Sequence, residues 1–173
     1  MSSALLRFTG PVSADPPDLF NRMIILMQTG VDASDPTVWG SHVLQNRMDD
    51  NGYPDLLFPV CSTDEVVPPA TAKALSHGLN IPQMAPVLDK VPLLEIQEAP
   101  LHANAIHGTT SAYFQMDRIT VNGTVQPSGH NSLSGSDEGI LNSHHFILTY
   151  LEGSTEIINP YEVLNTPPLD ELR

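Results

Sequence analysis

The chain has 173 residues, enough for one domain with a sizeable core, and 20 acidic against 7 basic side chains give a net charge of −13. This charge argues against nucleic acid and anionic membranes as partners. The single cysteine, Cys61, excludes an internal disulfide framework and a cysteine-rich zinc site, and its place at the end of an apolar run favours a core thiol. Residues 1–15 contain one arginine and no long apolar run, so they predict neither an export signal nor a membrane span. Localisation is left open.

Two helices are predicted before residue 50. Asp15-Pro16-Pro17 is a helix-start signal, and apolar residues at helical spacing predict an amphipathic helix over Asp18–Thr29, ended by Gly30. Asp35 is expected to cap a second helix with Pro36 in its first position. The apolar stripe of the first helix is interpreted as part of the core.

The segment Asp55–Cys61 has five apolar positions in seven and predicts a short buried strand. Pro59 argues against a central place in the sheet, because proline cannot donate to the ladder. An acidic turn follows, and then a helix over Ala70–Leu79 that opens on proline. Asp64 therefore comes just after the carboxyl end of a strand, where open α/β sheets place their chemistry.

The second half of the chain predicts a second clear strand and a long helix. Residues 81–107 are irregular and proline-rich, with a short strand within Val91–Ile96, and the alternation in Ser111–Ile119 predicts a strand with one face in the core. A polar loop then carries His130. Ser136 or Asp137 is expected to cap a helix through Glu152, ended by Gly153. The apolar residues predicted to face the sheet are Ile140, Leu141, Ile147, Leu148 and Leu151.

This order of elements predicts an α/β fold whose parallel strands are joined by a crossover. Two or three strands, flanked by helices, make a thin sheet for a chain of this length. We therefore expect residues 1–173 to form a single but incomplete domain.

The run Ser62-Thr63-Asp64-Glu65-Val66-Val67-Pro68-Pro69, followed by a helix, a strand, a histidine loop and an amphipathic helix, resembles the carboxyl-terminal half of an α/β-hydrolase. The likeness is to bacterial extracellular lipases and esterases, and the segment Met27–Pro36 resembles the stretch before the acid-bearing strand of that family. The resemblance implies that Asp64 is the acid and His130 the base of a Ser–His–Asp triad. It also implies hydrolysis of a carboxylic ester or lipid through an acyl-enzyme, without a cofactor.

One part of the family pattern is missing from the sequence. No G-x-S-x-G occurs, and Ser132, Ser134 and Ser136 follow the acid without the strand–turn–helix that exposes a nucleophile. We therefore expect the serine and the oxyanion donors to lie on an amino-terminal half or a partner chain, and this chain to be inactive alone. By the same resemblance, the loop Ile81–His107 would border the substrate pocket.

Other interpretations of these residues stay open. Asp64 is also a plausible turn carboxylate and His130 a surface histidine, and Glu65 or Asp117 could supply the acid instead. No metal site is predicted. His144 and His145 are adjacent in a predicted helix and point in different directions, and His102 and His107 are five residues apart in an irregular loop. The alternative function is a non-catalytic, acidic interaction module, which would bind or self-associate through exposed apolar surface and an open sheet edge.

Overall fold

The computed structural model describes residues 17–49 and 51–169. The chain divides into two compact units, with the boundary between Val38 and Trp39. The organisation of residues 1–173 as a single domain stays a prediction.

The described part of the first unit, from residue 17 onward, contains one long helix. Helix α1, Pro17–Val31, continues through Gly30, and a 3-10 turn, Asp32–Ser34, follows it. Asp35 caps the next helix as predicted, since its Oδ1 accepts the Thr37 N–H at 2.8 Å. Of the apolar stripe predicted to lie in the core, Met23 and Ile24 are half-buried and Met27 is 40% exposed, while the side chains of Leu19 and Phe20 lie outside the described residues.

The predicted second helix is divided in two. Helix α2, Pro36–Trp39, spans the boundary between the units, and helix α3, Ser41–Leu44, follows in the second unit. Gly40 separates them and lies against a later helix, because a Cβ on Gly40 would come within 2.9 Å of the Gly78 carbonyl carbon.

The second unit is built on a four-stranded parallel sheet in the order β1–β4–β2–β3. Strand β1 is Leu56–Cys61, β2 is Gln83–Met84, β3 is Ile96–Gln97 and β4 is Ser111–Met116. Helix α4, Pro69–Leu79, follows β1. The α/β class with a parallel sheet and flanking helices is confirmed, whereas the expected count of two or three strands is wrong.

Strand β1 lies at one edge of the sheet, and this position accommodates Pro59. The Leu56 and Ser62 N–H groups donate to Thr110 and Met116 carbonyls beside β4, so even-numbered donors of this segment face β4. Pro59 is odd-numbered, and its missing N–H therefore falls on the open edge.

Strand β4 is buried along its whole length, so the predicted one-sided burial is wrong. Phe114 and Met116 join one core cluster, and Tyr113 joins another that includes Leu44 and Ile81. The strand is central and covered on both faces, as parallel strands usually are.

Strands β2 and β3 come from the segment predicted to be irregular. The side chain of Gln83 in β2 is fully buried, donates to Gln115 Oε1 at 2.9 Å, and accepts the Val91 N–H at 3.0 Å. The strand expected within Val91–Ile96 falls instead at Ile96–Gln97. Strands of two residues that are held by buried side-chain amides are too short to show apolar alternation, so the sequence pattern does not predict them.

A hairpin and two helices complete the second unit. Strands β5, Arg118–Val121, and β6, Thr124–Pro127, are antiparallel, and Asn122 and Gly123 between them take positive φ angles of 51° and 75°. Helix α5, Asp137–Leu151, begins at Ser136, whose side chain accepts the Gly139 N–H, and helix α6 is Pro160–Leu164. None of the described helices is long and apolar enough to cross a membrane.

Helix α5 turns the opposite face to the sheet from the one predicted. The buried residues of α5 are Glu138, Gly139 and Asn142, and Phe146 packs against the core. Gly139 requires this orientation, because a Cβ there would lie 2.0 Å from the Leu133 carbonyl oxygen. Four residues of the predicted inward set form an exposed stripe, here named the α5 stripe: Ile140, Ile147, Leu148 and Leu151.

Candidate active site

The structure brings Asp64 and His130 together. They are 66 positions apart in the sequence, and His130 Nδ1 lies 3.1 Å from both carboxylate oxygens of Asp64. Asp64 follows the carboxyl end of β1, and His130 follows the β5–β6 hairpin that begins after β4. Because β1 and β4 are parallel neighbours, both loops start from the same edge of the sheet.

The Asp64 carboxylate is fixed by its own turn. Its Oδ1 accepts the N–H groups of Val66 and Val67, each at 2.8 Å, which is the Asx-turn geometry that aspartate favours. The hydrogen bond from the Val67 N–H, together with those from His130 and Val66, holds the pKa of Asp64 below its usual value despite partial desolvation. Asp64 is therefore an ionised acceptor at neutral pH.

A second set of contacts ties the two loops to each other. Thr63 Oγ1 donates to the Ser128 carbonyl oxygen, and Ser128 Oγ donates to the Met116 carbonyl oxygen at 2.6 Å. The Ser128 N–H in turn donates to the Asp117 carbonyl oxygen at 2.9 Å. These bonds fix the start of the histidine loop relative to the β1 end, so the Asp64–His130 contact does not depend on the two side chains alone.

The ionised carboxylate determines which nitrogen of His130 carries the proton in the neutral ring. A carboxylate only accepts, so Nδ1 is the donor and Nε2 is left with its lone pair. Nε2 has no hydrogen-bond partner among residues 17–49 and 51–169. The side chains are 35% exposed for His130 and 15% exposed for Asp64, so solvent reaches the ring more easily than the carboxylate. This is the orientation a general base needs.

Two cavities meet at His130. One, of about 180 Å³, is lined mainly by apolar groups of β1, α4 and the following loops, including Cys61, Val67, Ala72 and Leu133. The other, of about 410 Å³, lies against the β5–β6 hairpin. No residue of Ile81–His107 lines either cavity, so the pocket role predicted for that loop has no support in the described part of the chain.

Two of the three candidate serines hold the local structure. Ser132 Oγ accepts the Gly129 N–H at 2.6 Å, and Ser136 Oγ caps α5. No serine within the described ranges is hydrogen-bonded to His130. Burial, together with the charge of Asp64, raises the pKa of the Cys61 thiol, which disfavours the thiolate that a nucleophile would need.

The other acid candidates do not contact His130. Glu65 makes no hydrogen bond or ion pair with a described residue, and Asp117 Oδ1 pairs with Arg118 at 2.8 Å. Among the described residues, no three His, Cys, Asp or Glu side chains converge on a point that could hold a metal ion. His145 lies 2.8 Å from the Glu156 carboxylate, outside the site.

The chain matches no family model, and it has no significant match among curated proteins or solved structures. What can be said of function therefore depends on the site itself. The sequence did not identify Thr63 and Ser128 as residues that join the two loops. Their only signal was position, since Thr63 lies in the acidic turn after a predicted strand and Ser128 lies in the predicted polar loop that carries His130.

Proposed function

We propose that Asp64 and His130 are the acid and base of a Ser–His–Asp triad, and that this chain resembles the carboxyl-terminal part of a serine ester hydrolase of the α/β-hydrolase type. The observation that supports this proposal most is the contact of His130 Nδ1 with both oxygens of a backbone-anchored carboxylate.

In this proposal His130 transfers the proton and Asp64 supports His130. His130 Nε2 takes the proton of a serine hydroxyl as that oxygen attacks the ester carbonyl, and returns it to the leaving alcohol. Asp64 holds the ring in the Nδ1–H tautomer and stabilises the imidazolium that forms. A water then repeats the sequence on the acyl-enzyme, and no cofactor takes part.

The serine and the oxyanion donors are proposed to come from an amino-terminal half or a partner chain. Among residues 17–49 and 51–169, no strand pairs with the outer edge of β1, and β1 leads directly to the acid loop. A strand added at this edge would place its own carboxyl end beside Asp64 and His130, since parallel neighbours end at the same side. The α5 stripe, whose residues are 42% to 73% exposed, is the kind of surface such a chain would cover.

Reaction with an activated ester tests the proposal in the chain as it exists. An imidazole with a free Nε2 and a carboxylate behind it attacks p-nitrophenyl acetate: Nε2 bonds to the acyl carbon, p-nitrophenolate leaves with the electron pair of the broken ester bond, and the Nδ1 proton is released to solvent from the acetylimidazolium. We expect acetylation mapped by mass spectrometry to occur faster at His130 than at His77, which lies exposed on α4.

The variant Asp64→Ala should slow acetylation at His130 and leave His77 unchanged. Equal rates at the two histidines, or a His130 rate unaffected by the substitution, would contradict the proposal. A fluorophosphonate should label no serine of the isolated chain, because none of the described serines is paired with a base.

The α5 stripe also favours a second candidate, a non-catalytic interaction module derived from the same fold. In that case the chain would associate through the stripe, and the Asp64–His130 contact would only join two loops. Normal acetylation of His130 with loss of association after Leu148→Ser would separate the two functions.

A further inference from the structure

His130 lies in a turn, Gly129–Ser132, that Ser132 closes twice. The Ser132 N–H donates to the Gly129 carbonyl oxygen at 3.0 Å, which is the hydrogen bond expected of a β-turn. The Ser132 hydroxyl adds a second bond, because its Oγ accepts the Gly129 N–H at 2.6 Å. One residue therefore holds both polar groups of the glycine backbone, and His130 is the residue directly after that glycine.

Close packing is not what fixes the Gly129 backbone. A Cβ built there would make only ordinary contacts, 3.6 Å from Glu65 Oε2 and 3.8 Å from Ser132 Oγ. Glycine also has more conformational freedom to lose on folding than any other residue. The preceding residue, Ser128, is bonded to the carboxyl end of β4. The two bonds of Ser132 therefore extend the restraint from Ser128 across the glycine to His130.

The contact between His130 and Asp64 is sensitive to this restraint. Nδ1 lies 3.1 Å from each carboxylate oxygen, near the upper end of the hydrogen-bond range, and the ring is partly exposed to water. A small shift of the turn would therefore exchange these bonds for bonds to water. Asp64 is anchored by the N–H groups of Val66 and Val67, so the bonds of Ser132 are the corresponding anchor on the histidine side.

We infer that Ser132 is a positioning residue, and that its hydroxyl keeps His130 on Asp64 by holding the Gly129 backbone. The inference rests on the proposed function in one respect, since the orientation of His130 matters there for proton transfer. This role differs from that of a nucleophile, because Ser132 acts on the imidazole through the turn. Removal of the hydroxyl should therefore change the behaviour of His130 only while the Asp64 carboxylate is present.

The first experiment measures His130 in the variant Ser132→Ala. Nitrogen-15 NMR should show a smaller fraction of the Nδ1–H tautomer in the neutral ring. Acetylation of His130 by p-nitrophenyl acetate should slow by about threefold to tenfold, the worth of one hydrogen bond, while acetylation of His77 stays the same. Ser132→Thr keeps the hydroxyl and should restore most of the rate. The control Ser134→Ala removes an exposed hydroxyl from the same loop and should leave tautomer and rate unchanged.

The second experiment repeats Ser132→Ala in an Asp64→Ala background. If Ser132 acts through the contact between His130 and Asp64, its substitution should add little once the carboxylate is gone. A general loosening of the loop would instead add its full effect in both backgrounds. Additive effects, or an unmodified tautomer and acetylation rate in Ser132→Ala, would overturn the inference.

Hydrogen exchange in the unmodified chain tests the anchor without any substitution. The Gly129 amide should be protected relative to the Asn131 amide, which has no acceptor among the described residues. Equal protection would overturn the inference even if Ser132→Ala failed to fold. An Nε2–H tautomer of His130 in the unmodified chain would overturn both the proposed triad and this inference, whereas an unresponsive Ser132→Ala beside a normal unmodified chain would overturn the role of Ser132 alone.

Discussion

Asp64 and Glu138 both have a carboxyl pKa below the ordinary value, but the surroundings that lower it differ. Asp64 is partly exposed and is held by two N–H groups and a histidine. Glu138 is fully buried: Thr120 donates both its N–H and its hydroxyl to it, and Thr166 donates a hydroxyl. Burial raises the pKa of Glu138, and the donors from Thr120 and Thr166 outweigh that effect.

The difference teaches what each carboxylate is for. All the partners of Glu138 are fixed donors that join β5, α5 and the segment after α6, so its charge stabilises the fold. One partner of Asp64 is a titratable ring with an accessible second nitrogen, so its charge can affect a reaction. A lowered carboxyl pKa alone does not identify an active site, whereas the kind of partner does.

The largest effect is expected at Glu138. Replacing it with alanine leaves the Thr120 N–H and two threonine hydroxyls without an acceptor, which should lower the free energy of unfolding by about 3 kcal/mol. Urea denaturation measures this loss. Glu152→Gln, at the exposed end of the same helix, should change stability by less than about 0.5 kcal/mol. An unchanged urea midpoint in Glu138→Ala would show that the hydrogen bonds of Glu138 to Thr120 and Thr166 make no net contribution to stability.

Acid should weaken the fold chiefly through Glu138. Because its folded pKa is lowered from 4.5, its stabilisation is fully present above that pH and is lost as the pH falls through the folded pKa. The pKa of Asp64 is also lowered, from 3.8, so its contribution is lost in the same direction, and exposure to solvent makes that contribution smaller. Between pH 6 and pH 3, the free energy of unfolding should therefore fall more steeply with decreasing pH in the unmodified chain than in Glu138→Gln. The same dependence of the unfolding free energy on pH in both proteins would contradict the role given to Glu138.

The two faces of α5 should respond differently to substitution. Phe146→Ala removes a side chain packed on the core and should destabilise the chain by about 2 kcal/mol or more. Leu148→Ser and Leu151→Ser fall on the α5 stripe and should change stability by less than about 0.5 kcal/mol. The same serine variants should reduce self-association in sedimentation experiments. Strong unfolding by the serine variants would mean that the stripe is covered within the chain.

Sequence patterns located the Asp64 and His130 loops because their signals are local. The sequence shows a strand end followed by an acidic turn, and a polar loop followed by a helix cap, without reference to distant residues. Apolar periodicity showed that α5 is amphipathic, but it could not show which face meets the sheet. The buried face of α5 carries Glu138, whose partners Thr120 and Thr166 lie 18 and 28 positions away in the sequence, so the pattern of the helix alone could not identify it.

The short strands β2 and β3 were beyond prediction for a related reason. Buried side-chain amides hold that region, with Gln115 Oε1 accepting from Gln83 and from the Leu88 and Asp89 N–H groups. A glutamine in a proline-rich stretch reads as a surface residue until its partner is known. Pro59, by contrast, signalled an edge strand, and β1 is one.

Substitution of Asp64 should have the smallest effect on stability and the most direct effect on the proposed function. Asp64→Ala alters a partly exposed pair and should leave the fold intact, so the histidine can be examined without unfolding. Nitrogen-15 NMR of the neutral His130 ring reports which nitrogen is protonated. The account predicts the Nδ1–H tautomer in the unmodified chain and a return to the Nε2–H tautomer of free histidine in Asp64→Ala. An Nε2–H tautomer in the unmodified chain would contradict the assignment of His130 as the base oriented by Asp64.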